Sequence, residues 1–507
     1  MPVMLCTLFA SLLLASAQSF DDDLGEGEAA APASPPAFSA DFVDARAREL
    51  AQQPARELEA TLPDPLPGLD YDGFRRIAFR PEHRLWAEQP GRFRADLLHL
   101  GALYRIPVNV HVVDAGLSTA LPYTPEWFEF RDELPRPSEA VPGYSGFRLR
   151  HPLNRPDSDD EFLVFQGASY FRGVGRDQAY GTSARGLALR TADPRGEEFP
   201  AFTEFWLERP EPDATEVRFH ALLESESVVG AYHFVARPGD ATVVSVEATL
   251  FARAELDALG LAPLTSMFFF DTANRDAFDD FRDAVHDAGG LQIVTGAGQR
   301  VWRPLDNPPT LQVSAFLDES PQGFGLTQRR RRFGDYGDTE ARYERRPSVW
   351  VEPVGNWGKG AVVLVEIPVD TEFNDNIAAF WRPEQPLAAG ESMSWSYRLH
   401  FCSQPPDTAP LARVADTRTG KAPNSTLRLF VIDFDPADPE AEGVLEIDAS
   451  ASAGELVRTR LERLPENGRR RVTLEFDAGA ADLAELSVRL TQNGEARSET
   501  WLHRWLR

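Results

Sequence analysis

The side chains of this chain that could do chemistry are chiefly carboxylates. Covalent amine chemistry has almost no candidates, because Lys359 and Lys421 are the only lysines. A serine triad lacks the G-x-S-x-G elbow that would begin it. The glycines of Gly173-Val174-Gly175-Arg176 are not followed by Gly-Lys-Ser/Thr, so they form no phosphate-binding loop. The nine histidines contain no H-x-H or H-E-x-x-H pair and no Cys/His set. His286-Asp287 is the nearest approach to a ligand pair and has no visible companion. We therefore expect no metal and no cofactor.

Acid–base chemistry remains. Glycoside hydrolysis needs one protonated acid for the leaving oxygen and a second carboxylate as base or nucleophile. With 79 Asp and Glu, composition does not choose the pair. Carboxylates set in aromatic or Gly-rich segments are the better candidates: Glu197, Glu198, Asp287, Glu352, Glu366, Asp370, Glu372 and Asp375. The segment GASYFRGVGRDQAYGTSARGLA, from Gly167, is one such setting, and GEEFPAFTEFWLERP, RRPSVWVEPVGNWGKG and DNIAAFWRP are others. Aromatic rings beside Arg, Asp and Asn can grip a sugar by stacking on its C–H face and bonding its hydroxyls. In a chain with 33 Phe, 10 Trp and 10 Tyr, core packing is the ordinary role of any one ring.

These residues need a scaffold. The 507 residues exceed a single small core and point to two or more domains. The formal charge of −27 excludes a nucleic-acid groove or a polybasic membrane surface, both of which need clustered cations. Residues 1–17 form an apolar run ending in a small-x-small pattern, which reads as a signal peptide and is too short to span a bilayer. Cleavage after Ala17 would remove Cys6 and leave Cys402 alone, so no internal disulfide is expected and a bacterial periplasm fits best. Residues 18–37 are acidic and rich in Ala and Pro, as in a tether. A helix is predicted from Asp41 to Gln53, with Ser39 as cap and Phe38 stapled to Phe42. From Pro54 onward, short alternating runs such as EFLVFQ, EVRFHALLE, ATVVSVEATLFA and AVVLVEIPV, punctuated by turn residues, predict an all-β sandwich. Residues 403–425 are Pro-rich without apolar periodicity and read as a linker. Residues 426–507 carry four or more strands, enough for an immunoglobulin-like sandwich.

Strings along the chain resemble the periplasmic glucan biosynthesis protein G/D family. Among them are YDGFRRIAFRPEHRLW, LGLAPLTSMFFF, VHDAGGL, QGFGLTQRRRRF, YERRPSVWVEP, WGKGAVVLVEIP, NDNIAAFW and SETWLHRW, in family order from about residue 40 to the C-terminus. The resemblance implies a large galactose-mutarotase-like β-sandwich over 38–402, followed by the smaller immunoglobulin-like one. It implies a periplasmic role in making osmoregulated glucans. The activity it implies is cleavage of neutral β-1,2-glucan internally with inversion, or transfer of the cleaved chain to form cyclic glucan. By motif, the general acid falls on Asp375 and the general base on Asp287, the base acting through a relay of water and a substrate hydroxyl. Tyr343 falls near the acid. His286, Tyr170, Arg172, Glu198, Trp357 and Trp381 are expected to contact substrate. A homodimer is compatible with the resemblance.

That assignment carries physical demands. Asp375 has to be protonated near neutral pH, which burial beside Phe380 and Trp381 would achieve, and Asp287 has to stay ionised. Two departures from the family pattern stand out. The family's His-Asp-x-Asp-Gly is here His286-Asp287-Ala288-Gly289-Gly290, so the second acid is missing. The run Arg329-Arg330-Arg331-Arg332 is uninterrupted, as in a solvated loop or a contact to an anionic group on the glucan. The missing acid keeps open a second reading, a non-catalytic glucan-binding or assembly factor.

Overall fold

In the computed structural model, the described residues are 36–507, except 89, 138, 408 and 436–443. The expected signal peptide, and the tether up to residue 35, lie outside them. The first element is a helix over Ala40–Ala51. Its Val43 and Ala47 are fully buried against the sheet, and Phe38 and Phe42 meet with ring centroids 6.1 Å apart over Trp206. The staple therefore forms. Ser39 occupies the cap position, but its side chain makes no capping bond, and its carbonyl accepts from Phe42 N instead.

Almost everything else is strand. The runs read as strands form them: Asp160–Gln166, Val217–Glu224, Thr242–Ala252 and Lys359–Glu366. Thr242–Ala252 shows why. Its Thr242, Val244, Val246, Ala248 and Leu250 alternate with less buried neighbours, so every second side chain enters the core. A ten-stranded sheet and a fifteen-stranded sheet form the main framework. Between them lies an aromatic core. Phe147 and Phe165 stack at 5.4 Å, Phe165 and Phe171 at 4.5 Å, and Phe205, Phe219 and Phe234 meet Phe165 edge-on.

The C-terminal region has its own core, with Phe430, Ile432, Phe434, Val472, Leu474, Leu486, Val488 and Trp501 at its centre. A four-stranded sheet of Arg413–Lys421, Arg428–Asp435, Arg470–Asp477 and Glu455–Arg463 forms one layer of it. The strands Glu446–Ala451, Leu483–Gln492 and Thr500–Leu506 form the other. This second layer is continuous with the main fifteen-stranded sheet, through parallel pairing of Val301 with Thr500 and Trp302 with Trp501.

One expectation is corrected here. Arg413–Lys421, inside the stretch read as a linker, is a strand paired along its length with Arg428–Asp435. Within it only Val414 and Thr417 are buried, and Thr417 Oγ1 accepts a hydrogen bond from Trp501 Nε1 at 3.0 Å. A strand held by a polar inward residue leaves no apolar alternation to read.

Candidate active site

Asp287 and Asp375 are both fastened to the segment that follows the strand Leu259–Ser266. Asp287 comes just after the short strand Val285–His286, and its N–H donates to the Met267 carbonyl at 2.9 Å. Asp375 precedes the strand Ile377–Pro383. Its neighbour Asn376 is buried and spends its whole side chain on backbone. Oδ1 accepts from Phe268 N at 2.8 Å, and Nδ2 donates to the carbonyls of Phe268 and Ile367 at 2.9 and 3.0 Å. Residues 266–268 thus position both carboxylates.

The two environments are opposite. Asp287 is buried, and Arg346 Nη1 lies 2.9 Å from its Oδ1, an ion pair whose geometry falls short of a hydrogen bond. Burial raises its carboxyl to about 6. The Arg346 guanidinium opposes that rise, the Asp375 charge adds to it and Arg172 opposes it. The two carboxylates therefore share one electrostatic site. Asp375 is exposed, with Arg172 Nη2 3.6 Å from its Oδ2. The burial predicted beside Phe380 and Trp381 is absent at Asp375. Those two rings face core clusters, which leaves the loop before them in the open.

Arg346 reaches Asp287 by crossing Gly181, where a Cβ would sit 2.8 Å from Arg346 Cδ and 2.9 Å from its Cβ. Its guanidinium also covers the Tyr343 ring at 4.9 Å. Tyr343 is buried beside Tyr336, and burial raises its phenol far above the ordinary value, with the charges of Glu372 and Asp287 adding to the rise. Tyr343 is therefore a neutral hydroxyl near Asp287. On the other flank Arg172 Nε donates to Ser183 Oγ at 2.6 Å, and Arg185 lies over the Tyr170 ring at 4.6 Å. Burial raises the Tyr170 phenol, and Arg185, Glu197, Asp375 and Arg172 all act on it.

His286 is fully buried, stacked on Phe268 at 5.2 Å and edge-on to Tyr336. Burial lowers its imidazole to about 4, so it is neutral at pH 7. It supports the turn into Asp287 and has no exposed surface to offer a substrate, contrary to the contact expected of it. The Cβ of a residue at position 289 would first meet His286 Cε1 at 3.4 Å and Gln328 Oε1 at 3.5 Å. The acid missing from Gly289 would thus lie against His286, and the Asp287–Arg346 pair is complete without it.

Three expected contacts sit elsewhere. Trp381 has no exposed surface, and Trp357 packs against it and donates Nε1 to Ser396 O at 3.1 Å. The Trp381 indole has no face to offer a sugar, and Trp357 is partly buried against it. Glu198 accepts from Ser227 N and Oγ and pairs with Arg190, which makes it a local anchor. Its neighbour Glu197 pairs with Arg185 at 2.7 Å and belongs to the Tyr170 flank. Of the other carboxylates considered, Glu352 pairs with Arg398 and His400, and Glu366 is buried against Arg303. Glu372 pairs with Arg282, which also holds Asp280 and Asp338.

Sequence reasoning missed Arg346, Asn376, Arg185 and three exposed rings. Phe373 stands two residues before Asp375, Phe281 beside Arg282, and Phe199 within reach of Arg185. Phe373 is 88% exposed and Phe281 82% exposed, unusual for phenylalanine in a chain with so large a core. Among the described residues no group of three or more His, Cys, Asp and Glu could hold a metal ion.

With fold and site in place, comparison with known proteins decides the family. The model described as "Periplasmic glucan biosynthesis protein, MdoG" matches residues 38–505. The chain belongs to the MdoG family of periplasmic glucan biosynthesis proteins. It is 44% identical over 528 residues to glucans biosynthesis protein G of Vibrio cholerae serotype O1, covering 99% of this chain and 97% of that one. It is 46% identical to the protein of the same name from Shewanella frigidimarina, over 92% of this chain and 84% of that one. A Shewanella sp. MR-7 relative of that name is 45% identical over 92% of this chain and 87% of its own. Membership of this MdoG family agrees with the all-β fold. Among the described residues no helix is long and apolar enough to cross a membrane.

Proposed function

We propose that this chain cleaves β-1,2-glucan internally with inversion, in the periplasm, as a step in glucan biosynthesis. The observation that carries this reading is the pair of unlike carboxylates in one electrostatic site, Asp287 buried and Asp375 open. Asp287 acts as the base. A carboxyl raised to about 6 is largely ionised at pH 7 and accepts a proton more readily than a free aspartate. Because Asp287 is buried, it receives that proton through a relay of water and a substrate hydroxyl, with Tyr343 beside it to orient the chain. Asp375 acts as the acid. It stands where a glycosidic oxygen can reach it, and a bound glucan covers its exposed side and excludes water. Exposed Phe281 and Phe373 offer faces for sugar rings, and Arg172 and Tyr170 offer hydroxyl contacts.

A second reading is a non-catalytic glucan-binding factor. It is favoured by the exposure of Asp375 and the 3.6 Å approach of Arg172, which a catalytic acid has to escape when substrate binds. Incubation with linear β-1,2-glucan separates the two. Shortening of the chains by wild type, lost in Asp375→Asn with binding retained, supports the enzyme. Binding without any change in chain length supports the binding factor. Cyclic or lengthened products would mark transfer to a sugar acceptor instead of water.

A further inference from the structure

Of the two readings of the arginine run at 329–332, the solvated loop does not form. Arg329 pairs with Glu499 at 2.8 Å and lies over the Trp302 ring at 3.6 Å. Arg330 pairs with Asp271 at 2.7 Å and with Asp416. Arg331 is held by backbone carbonyls of Arg346 and Ser403 and by Ser348 Oγ. The run thus ties the main sandwich to the C-terminal strands, and beside it opens a cavity of about 590 Å³.

Seven arginines and four aspartates line that cavity, in a chain with a formal charge of −27. Four of the arginines are matched. Besides Arg329 and Arg330, Arg418 pairs with Asp416 and Arg469 pairs with Asp435 at 2.6 Å. The remaining three, Arg331, Arg332 and Arg413, form no ion pair with a carboxylate among the described residues. Arg413 bonds only neutral oxygens, Gln404 Oε1 at 3.0 Å and the Asp407 carbonyl at 2.7 Å. Arg332 is exposed. Of the lining aspartates, Asp283 is already paired with Arg275, and Asp335 accepts from the Arg332 backbone N–H. Arg331 spends both terminal nitrogens on the Glu344, Arg346 and Ser403 carbonyls and on Ser348 Oγ, which leaves Arg332 and Arg413 as the two guanidiniums without a carboxylate partner that can turn to a guest. Two such guanidiniums on one concave space in an acidic protein form a site for an oxyanion, because a guanidinium fork matches phosphate geometry.

The geometry points to an anion-binding site at the seam between the two cores, formed by Arg332 and Arg413 with Arg331 fixed behind them, that takes a phosphate-type oxyanion, free or carried on a sugar. The site is built from residues other than the two carboxylates and stands independently of the catalytic reading.

Titration calorimetry of the whole protein with inorganic phosphate tests it, at fixed low ionic strength in chloride buffer. Wild type gives saturable binding that weakens as salt is added. The double variant Arg332→Gln/Arg413→Gln removes the two more accessible guanidiniums and leaves Arg331 in place. It binds phosphate about ten-fold more weakly or worse, while its melting transition and its handling of neutral linear glucan match wild type. Glucose 6-phosphate in place of phosphate identifies the source. Tighter binding than phosphate assigns a sugar-borne group, and equal binding assigns the free anion. Absence of saturable binding in wild type, or undiminished phosphate binding in a folded double variant, would overturn the proposal.

Discussion

Asp287 and Asp375 belong to one site, yet the fold treats them in opposite ways. Asp287 follows a buried two-residue strand, is walled in by His286, Ala288 and Tyr343, and is given a guanidinium partner from Arg346. Asp375 sits on a loop fixed only from behind, by Asn376, with its carboxylate in the open beside Arg172. The difference teaches where each gets its chemistry. On the proposed reading, Asp287 is tuned by the protein before any ligand arrives, whereas Asp375 depends on the bound glucan to complete its surroundings.

The largest effect expected from breaking this contrast is loss of turnover. Asp375→Asn should reduce cleavage of linear β-1,2-glucan by about 10²–10⁴-fold with little change in binding. Because Asp375 is exposed, its melting temperature should stay within about 2 °C of wild type. Initial rates and calorimetric binding on the same preparation check this. A loss of only a few-fold would remove Asp375 from the acid role.

Asp287→Asn should lose activity on the same scale but gain stability. Folding raises the Asp287 carboxyl from 3.8 to about 6, so the folded state binds more protons than the unfolded one between those values. Stability therefore falls as pH rises through that window, by up to about 3 kcal/mol, and the penalty stays constant above it. The amide variant escapes the penalty. At pH 7 it should exceed wild type by about 1–3 kcal/mol, with the gap closing below pH 4, as read by urea unfolding across pH. A gap that does not change with pH would show that Asp287 is not the buried titrating group.

A subtler test sharpens the contrast without removing either carboxylate. Activity should fall as pH drops through about 6, where Asp287 gains a proton. Arg346→Gln withdraws the charge that restrains the rise, so this acidic limb should move upward by about one pH unit. The corresponding change at Arg172 should leave the limb closer to its place, because Arg172 is only the fourth influence on Asp287. Equal displacement by both variants would argue against separate environments.

The smallest effect is expected outside the site. Glu198→Gln should cost about 1 kcal/mol through its bonds to Ser227 and Arg190, with kcat unchanged. Glu197→Gln should raise KM by a few-fold through Arg185 and Tyr170. Reversal of these two outcomes would return Glu198 to the substrate site.

What could be read from the sequence follows physical lines. Alternation along Thr242–Ala252 predicts its strand because one face is apolar and buried. The strand Arg413–Lys421 was illegible because Thr417 points inward with a hydroxyl matched by Trp501, a partner 84 residues away. Motif strings point to Asp287, Asp375 and Tyr343, residue types whose chemistry is visible in the sequence. They could not say which carboxylate is buried, since burial depends on where the chains of other strands pass. Trp381 follows Asp375 in one motif but is buried in the core, with Trp357 packed on it, and a string does not record the direction of a side chain. Arg346 and Asn376 act by reaching across the chain, at Gly181 and at Phe268, and no local pattern marks such contacts.

The most direct test of the central claim is the anomeric configuration of the first product. Proton NMR of linear β-1,2-glucan, followed from the moment of mixing, reads the new reducing end before it mutarotates. Inversion by Asp375 and Asp287 predicts an initial excess of the α-anomer, absent with either Asn variant. An initial excess of the β-anomer, or cleavage that survives Asp375→Asn, would contradict it.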